Sequence, residues 1–184
     1  MTKNNILLFS YGVELSLSLL HSTLGGPSLS CLGQAFLPQF SLIWHHSNGL
    51  PMLKYKRSSK TYGAITSLSI EQYQKLLTIR SGIYVAQSCV VCPIEPLSIS
   101  KNSPLSFSKK PLSFSKLTSL LRSEIACQCF FPALDSPLNA MAGTPHPWAW
   151  RETIAGAYSR HLPKQWIHYL QSVTPASQSH SYAR

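Results

Sequence analysis

Acidic side chains are nearly missing from this chain. Glu14, Glu71, Glu95, Glu124, Asp135 and Glu152 are the whole supply in 184 residues, and no two stand within ten positions of each other. Acid–base chemistry often needs two carboxyl groups, and Mg²⁺ or Ca²⁺ sites need several oxygen ligands. So thin a supply argues against a carboxylate-built reactive centre. Charge of either sign is scarce as well, 12% of residues against the roughly 25% usual for soluble domains.

Cysteines are few and odd in number: Cys31, Cys89, Cys92, Cys127 and Cys129. An odd count fits poorly with a fully paired secreted scaffold and leans to a reducing compartment. Long apolar runs are missing too. "ILLFSYGVELSLSLL" (Ile6–Leu20) is too short and too polar to span a bilayer, so no transmembrane helix is expected. Behind Lys3 it could pass for an export-signal core, with Glu14 in its middle as a flaw; a strand is the first reading and an export signal the second. Catalytic signatures are absent: there is no Gly-x-Ser-x-Gly elbow and no His-Glu-x-x-His helix. "GGPS" (Gly25–Ser28) lacks the Gly-Lys-Ser/Thr end of a phosphate loop, and His45, His46, His161 and His168 are scattered.

What is present is basic, with a net charge of +10 that attracts anionic partners without specific design. Ser and Leu, residues with six codons each, dominate, as in a reading frame not shaped by selection for a soluble fold. Arg, with six codons but only six occurrences, cuts against that view.

Periodicity divides the chain into five segments. In residues 1–62, Phe9, Tyr11, Val13, Leu15, Leu17 and Leu19 alternate with small or polar residues, the period of a half-buried strand. Gly25–Gln39 reads as turns, Phe40–His46 as a short strand, and "KYKRSSK" (Lys54–Lys60) as an exposed basic loop. Residues 63–92 read as strand, helix, strand: Ser69 and Gln72 form a capping box before a stripe of Ile70, Tyr73, Leu76 and Leu77, and "IYVAQSCVVC" follows. Residues 93–116 carry a repeat, "PLSISK" and then "PLSFSK" twice, read as a linker because each unit is too small to bury a core. Residues 117–173 read as helical, with a stripe through Leu117, Leu120, Leu121 and Ile125, then two helices opened near Trp148 and Pro163. The tail, 174–184, is small and polar. The fold class expected is α+β, with short strands and about four short helices, long irregular or disordered segments, and no assurance of a unique fold.

Two constellations invite chemistry. Cys89, Cys92, Cys127 and Cys129 are candidate zinc ligands. Against them, Cys127 and Cys129 fall on the expected helix, where side chains two apart diverge. Lys54, Tyr55, Lys56, Arg57 and Lys60 are candidate nucleic-acid contacts, able to track phosphates and stack a base. Trp148, Trp150 and Trp166 stand beside Arg151, Arg160 and Lys164, an arrangement found at membrane interfaces and, more often, in cores. The sequence alone supports no assignable activity, no enzyme and no cofactor. The alternative is a basic module binding RNA or anionic membrane through Lys54–Lys60 and the repeats. The high basic-to-acid ratio with unpaired cysteines leans to a mitochondrial product.

Overall fold

The computed structural model describes residues 5–25, 29–95, 124–133 and 141–175. Five strands, β1 (Ile6–Ser10), β2 (Ser30–Trp44), β3 (Pro51–Leu68), β4 (Tyr84–Pro93) and β5 (Ile125–Pro132), form a closed barrel in the order β1-β3-β2-β4-β5. Neighbours run antiparallel except at the closing seam, where Leu8 of β1 lies parallel to Gln128 of β5. Among the described residues four helices surround it: α1 (Leu17–Leu24), α2 (Ile70–Arg80), α3 (Pro147–Ser159) and α4 (Lys164–Ser172). A barrel with a packed interior is a defined fold, so the expectation of short strands without a unique structure is overturned.

Closure follows from alternation. Phe9, Ala35, Leu37, Leu53, Ile65, Val91, Cys127, Cys129 and Phe131 all lie in one buried cluster, which α3 and α4 extend with Ala157, Trp166, Ile167 and Leu170. The opposite faces of β1, β3, β4 and β5 send Leu8, Leu68, Tyr84 and Phe130 against Leu20 and Leu24 of α1 and Leu76 of α2. Fully burying a Leu or Phe contributes about 1.5–3 kcal/mol, so these two clusters dominate the stability.

Three stretches depart from their sequence reading. The strand expected through Phe9–Leu19 stops at Ser10. A 3-10 turn follows at Val13–Leu15, and then α1, because the Ser16 hydroxyl accepts from the Leu19 amide and caps a helix. The stretch Gly25–Gln39, expected as turns, contains most of β2. Its Gly33 and Pro38 sit at register shifts, where a missing side chain or a missing N–H does least harm. Residues 125–132, expected as the end of a helix, are strand β5, held by an eight-residue register with β4.

The capping box at the head of α2 is present in full: the Gln72 amide donates to Ser69 Oγ while the Ser69 amide donates to Gln72 Oε1. Pro147 and Pro163 stand at the openings of α3 and α4. Residues 96–116 of the repeat and the tail beyond 175 lie outside the described residues. Among the described residues no helix is long and apolar enough to cross a membrane.

Candidate active site

The turn after β1 is buried through its whole length. Tyr11, Val13, Glu14, Leu15 and Ser16 are each less than a tenth exposed. Packing from three sides explains this. Gly12 lies against Pro51, where an added Cβ would come 2.5 Å from the proline Cγ. Gly156 of α3 presses on Leu15 and Ser16 at the same hypothetical distance. Arg160, just past α3, donates from Nε to the Leu15 carbonyl at 3.1 Å and from Nη2 to Thr66 Oγ1 at 3.2 Å.

Within that turn sits the one buried carboxylate among the described residues, Glu14, 8% exposed. Arg80, at the C-terminus of α2, places Nη2 2.8 Å from Glu14 Oε1. The Nε of Arg80 is buried with no hydrogen-bond partner. Each side chain keeps a narrow opening to solvent, 16% for Arg80 and 10% for Glu14. A charge pair in this position is costly to desolvate, and each partner compensates the burial of the other.

Two phenols complete the cluster. Tyr11 donates to the Phe130 carbonyl at 2.6 Å and Tyr84 to the Pro51 carbonyl at 2.8 Å. Burial pushes both hydroxyls up from their ordinary value; the Glu14 carboxylate adds to the rise and Arg80 opposes it. Both therefore remain neutral donors throughout the working pH range. Tyr84 also lines a cavity of about 90 Å³, together with His45, Leu50, Met52, Gly82 and Ile83. That is well below the roughly 300–1,000 Å³ of drug-sized pockets, so it admits a group the size of one amino-acid side chain.

The sequence-derived candidates fall elsewhere. Cys89 and Cys127 are direct cross-strand partners, whereas Cys92 pairs with Phe36 of β2. Cys127 and Cys129 share a face because β5 is a strand, which removes the objection drawn from an expected helix. Even so, among the described residues no three His, Cys, Asp or Glu side chains gather as a metal site. Lys54–Lys60 is not a loop but part of β3, whose register with β2 jumps from Pro38–Lys60 to Phe40–Tyr55. Lys56, Arg57, Ser58 and Ser59 thus stand opposite Gln39 alone, which takes a left-handed φ of 64°. The Tyr55 ring packs edge-on against Phe40, and Lys60 Nζ lies 5.2 Å and 5.1 Å from the Phe36 and Tyr62 ring centres. Trp166 is buried against Tyr62, as a core aromatic. Sequence reasoning missed Tyr11, Glu14, Arg80 and Tyr84 altogether. The available signal was an acid in the middle of an apolar run.

No protein-family model matches the sequence, and a comparison with curated proteins finds no match. Solved structures match well. A γ-glutamyl cyclotransferase superposes with a TM-score of 0.69 at 17% identity, over 96% of this chain and 92% of its own. An uncharacterized protein from Homo sapiens also gives 0.69, at 18% identity over 94% and 90%.

The chain has the γ-glutamyl cyclotransferase fold.

A yeast γ-glutamyl cyclotransferase specific to glutathione aligns more loosely, with a TM-score of 0.53 at 10% identity over 91% of this chain and 93% of the other. The γ-glutamyl cyclotransferase fold overturns the expectation of a chain with no assignable activity that is not an enzyme. That expectation rested on the scarcity of carboxylates, and the barrel places one of them in a buried, charged turn. The leaning to a mitochondrial product finds no support in the fold.

Proposed function

We propose that this protein is an enzyme of the γ-glutamyl cyclotransferase type, closing the γ-glutamyl group of a small amide onto its own α-amine. The substrate nitrogen attacks the γ-carbonyl carbon, a C–N ring bond forms, the amide C–N bond breaks, and 5-oxoproline leaves with the free amine. The reaction needs a base for the α-ammonium proton, a cationic anchor for the α-carboxylate, and a proton returned to the leaving nitrogen. Glu14 is suited to the first task and, once protonated, to the third. Arg80 is suited to the second, since its guanidinium carries a buried N–H with no acceptor. A substrate carboxylate competing for Arg80 frees Glu14 to take the proton, so binding itself primes the base. The neutral hydroxyls of Tyr11 and Tyr84 border the pair, and their bonds to the Phe130 and Pro51 carbonyls fix their direction.

The observation that carries this reading is the buried Glu14–Arg80 pair on the turn after β1, within a fold shared with solved γ-glutamyl cyclotransferases. The test is direct. Purified protein is incubated with glutathione and with γ-glutamyl-amino acids, and 5-oxoproline is followed by mass spectrometry. Turnover that vanishes in Glu14→Gln supports the reading. Folded protein that releases no 5-oxoproline from any of these substrates overturns it.

A further inference from the structure

Three of the five cysteines, Cys89, Cys127 and Cys129, share one face of the β4–β5 ladder. Cys89 of β4 and Cys127 of β5 are direct partners in the antiparallel ladder. Directly opposed residues place their Cα atoms about 4.5–5.5 Å apart with side chains on one face, within the roughly 4.4–6.8 Å span a disulfide bridges. Cys129, two residues further along β5, lies on that face too, and its thiol donates weakly to the Phe130 carbonyl at 4.0 Å. As a diagonal neighbour its Cα stands about 7–8 Å from that of Cys89, too far for a bridge without backbone movement. Cys31 pairs with Thr66 on the far side of the barrel and Cys92 with Phe36.

We propose that Cys89 and Cys127 form an oxidisable cross-strand dithiol, closed to a disulfide by hydrogen peroxide. The three thiols divide the work. Cys89 is half-buried, so peroxide reaches it, whereas Cys127 and Cys129 are 3% and 0% exposed. The neighbouring Cys129 thiol draws the Cys89 pKa down, while burial pushes Cys127 up to about 12 and raises Cys129 as well. The thiolate is the nucleophile, so Cys89 reacts first. Its sulfur attacks a peroxide oxygen, the S–O bond forms, the O–O bond breaks, and the departing hydroxide takes up a proton as water. Cys127 Sγ then attacks the Cys89 sulfur. The S–S bond forms, the S–O bond breaks, and the Cys127 proton leaves with that hydroxide as a second water. Two thiols lose two electrons and one peroxide gains them. The bridge ties β4 to β5, next to the seam with β1.

The experiment treats the full-length protein with one equivalent of hydrogen peroxide, alkylates the remaining thiols, and maps peptides by mass spectrometry without reduction. The expected result is a Cys89–Cys127 cross-linked peptide that dithiothreitol removes. In Cys127→Ser the expected product is a Cys89 sulfenic acid captured by dimedone, and in Cys89→Ser neither species forms. The wild-type map decides even where a serine variant misfolds. Cys89 and Cys127 both still open to alkylation after peroxide, or a cross-link joining another pair, overturns the proposal.

Discussion

Two regions of this molecule carry charge in opposite ways. The bulged part of β3 holds Lys54, Lys56, Arg57 and Lys60 at or near the surface, and the turn after β1 holds a single acid inside. The first dominates any count of charges, since exposed cations are what make the chain basic. The second dominates the proposed chemistry, because a charge is worth far more where it is desolvated than in water. The contrast teaches that one buried carboxylate with a cationic partner outweighs a cluster of solvated lysines.

The sharpest break of that contrast is kinetic. Glu14→Gln is expected to lower 5-oxoproline release by at least about 100-fold, the lower end of what a positioned acid–base group supplies. The triple variant Lys54→Glu/Lys56→Glu/Arg57→Glu is expected to leave the rate within about twofold. Steady-state assays on the three proteins read both effects.

Stability is expected to separate the regions next. Glu14→Ala strands Arg80 in a pocket where its side chain is only 16% exposed. The loss is expected to approach the roughly 3–5 kcal/mol of a broken buried pair. Glu14→Gln/Arg80→Met, which removes both charges, is expected to recover most of it in urea melts. Gly156→Ala forces a methyl group against Leu15 and Ser16, with an expected loss of about 1–3 kcal/mol and a slower enzyme, since the same turn holds Glu14.

Alkaline pH gives a smaller, graded effect. The thiol of Cys127 is pushed up by burial to about 12, so the folded state keeps a proton that the unfolded chain gives up near 9. Stability from this group is full below pH 9 and drains as the pH climbs towards 12. Cys127→Ala is expected to flatten that decline in melts run from pH 8 to 11. The least change is expected from the basic bulge, where the triple charge reversal shifts stability by no more than about 0.5 kcal/mol.

How much of this was legible in the sequence depended on the range of the forces involved. Helix α2 was readable because Ser69 and Gln72 satisfy each other within four residues, α3 from its apolar side after Trp148, and α4 because Pro163 marks its opening. Strand β2 was hidden by Gly33 and Pro38, which signal turns unless a partner strand absorbs them as bulges. Strand β5 was hidden by the leucine stripe before it, and only the ladder with β4 decides its state. The meeting of Leu8 with Gln128 that closes the barrel leaves no local trace. The site was illegible for the same reason: Glu14 and Arg80 are brought together by packing, and Tyr84 reaches Pro51 across 33 positions.

The most direct measurement is a crystal structure of the protein soaked with 5-oxoproline, the product of the proposed reaction. The ring is expected beside Tyr84, with its carboxylate on Arg80 and its ring nitrogen facing Glu14. A product molecule lodged on the basic bulge, or a site left empty with the Glu14–Arg80 pair unmoved at saturating concentration, would contradict it.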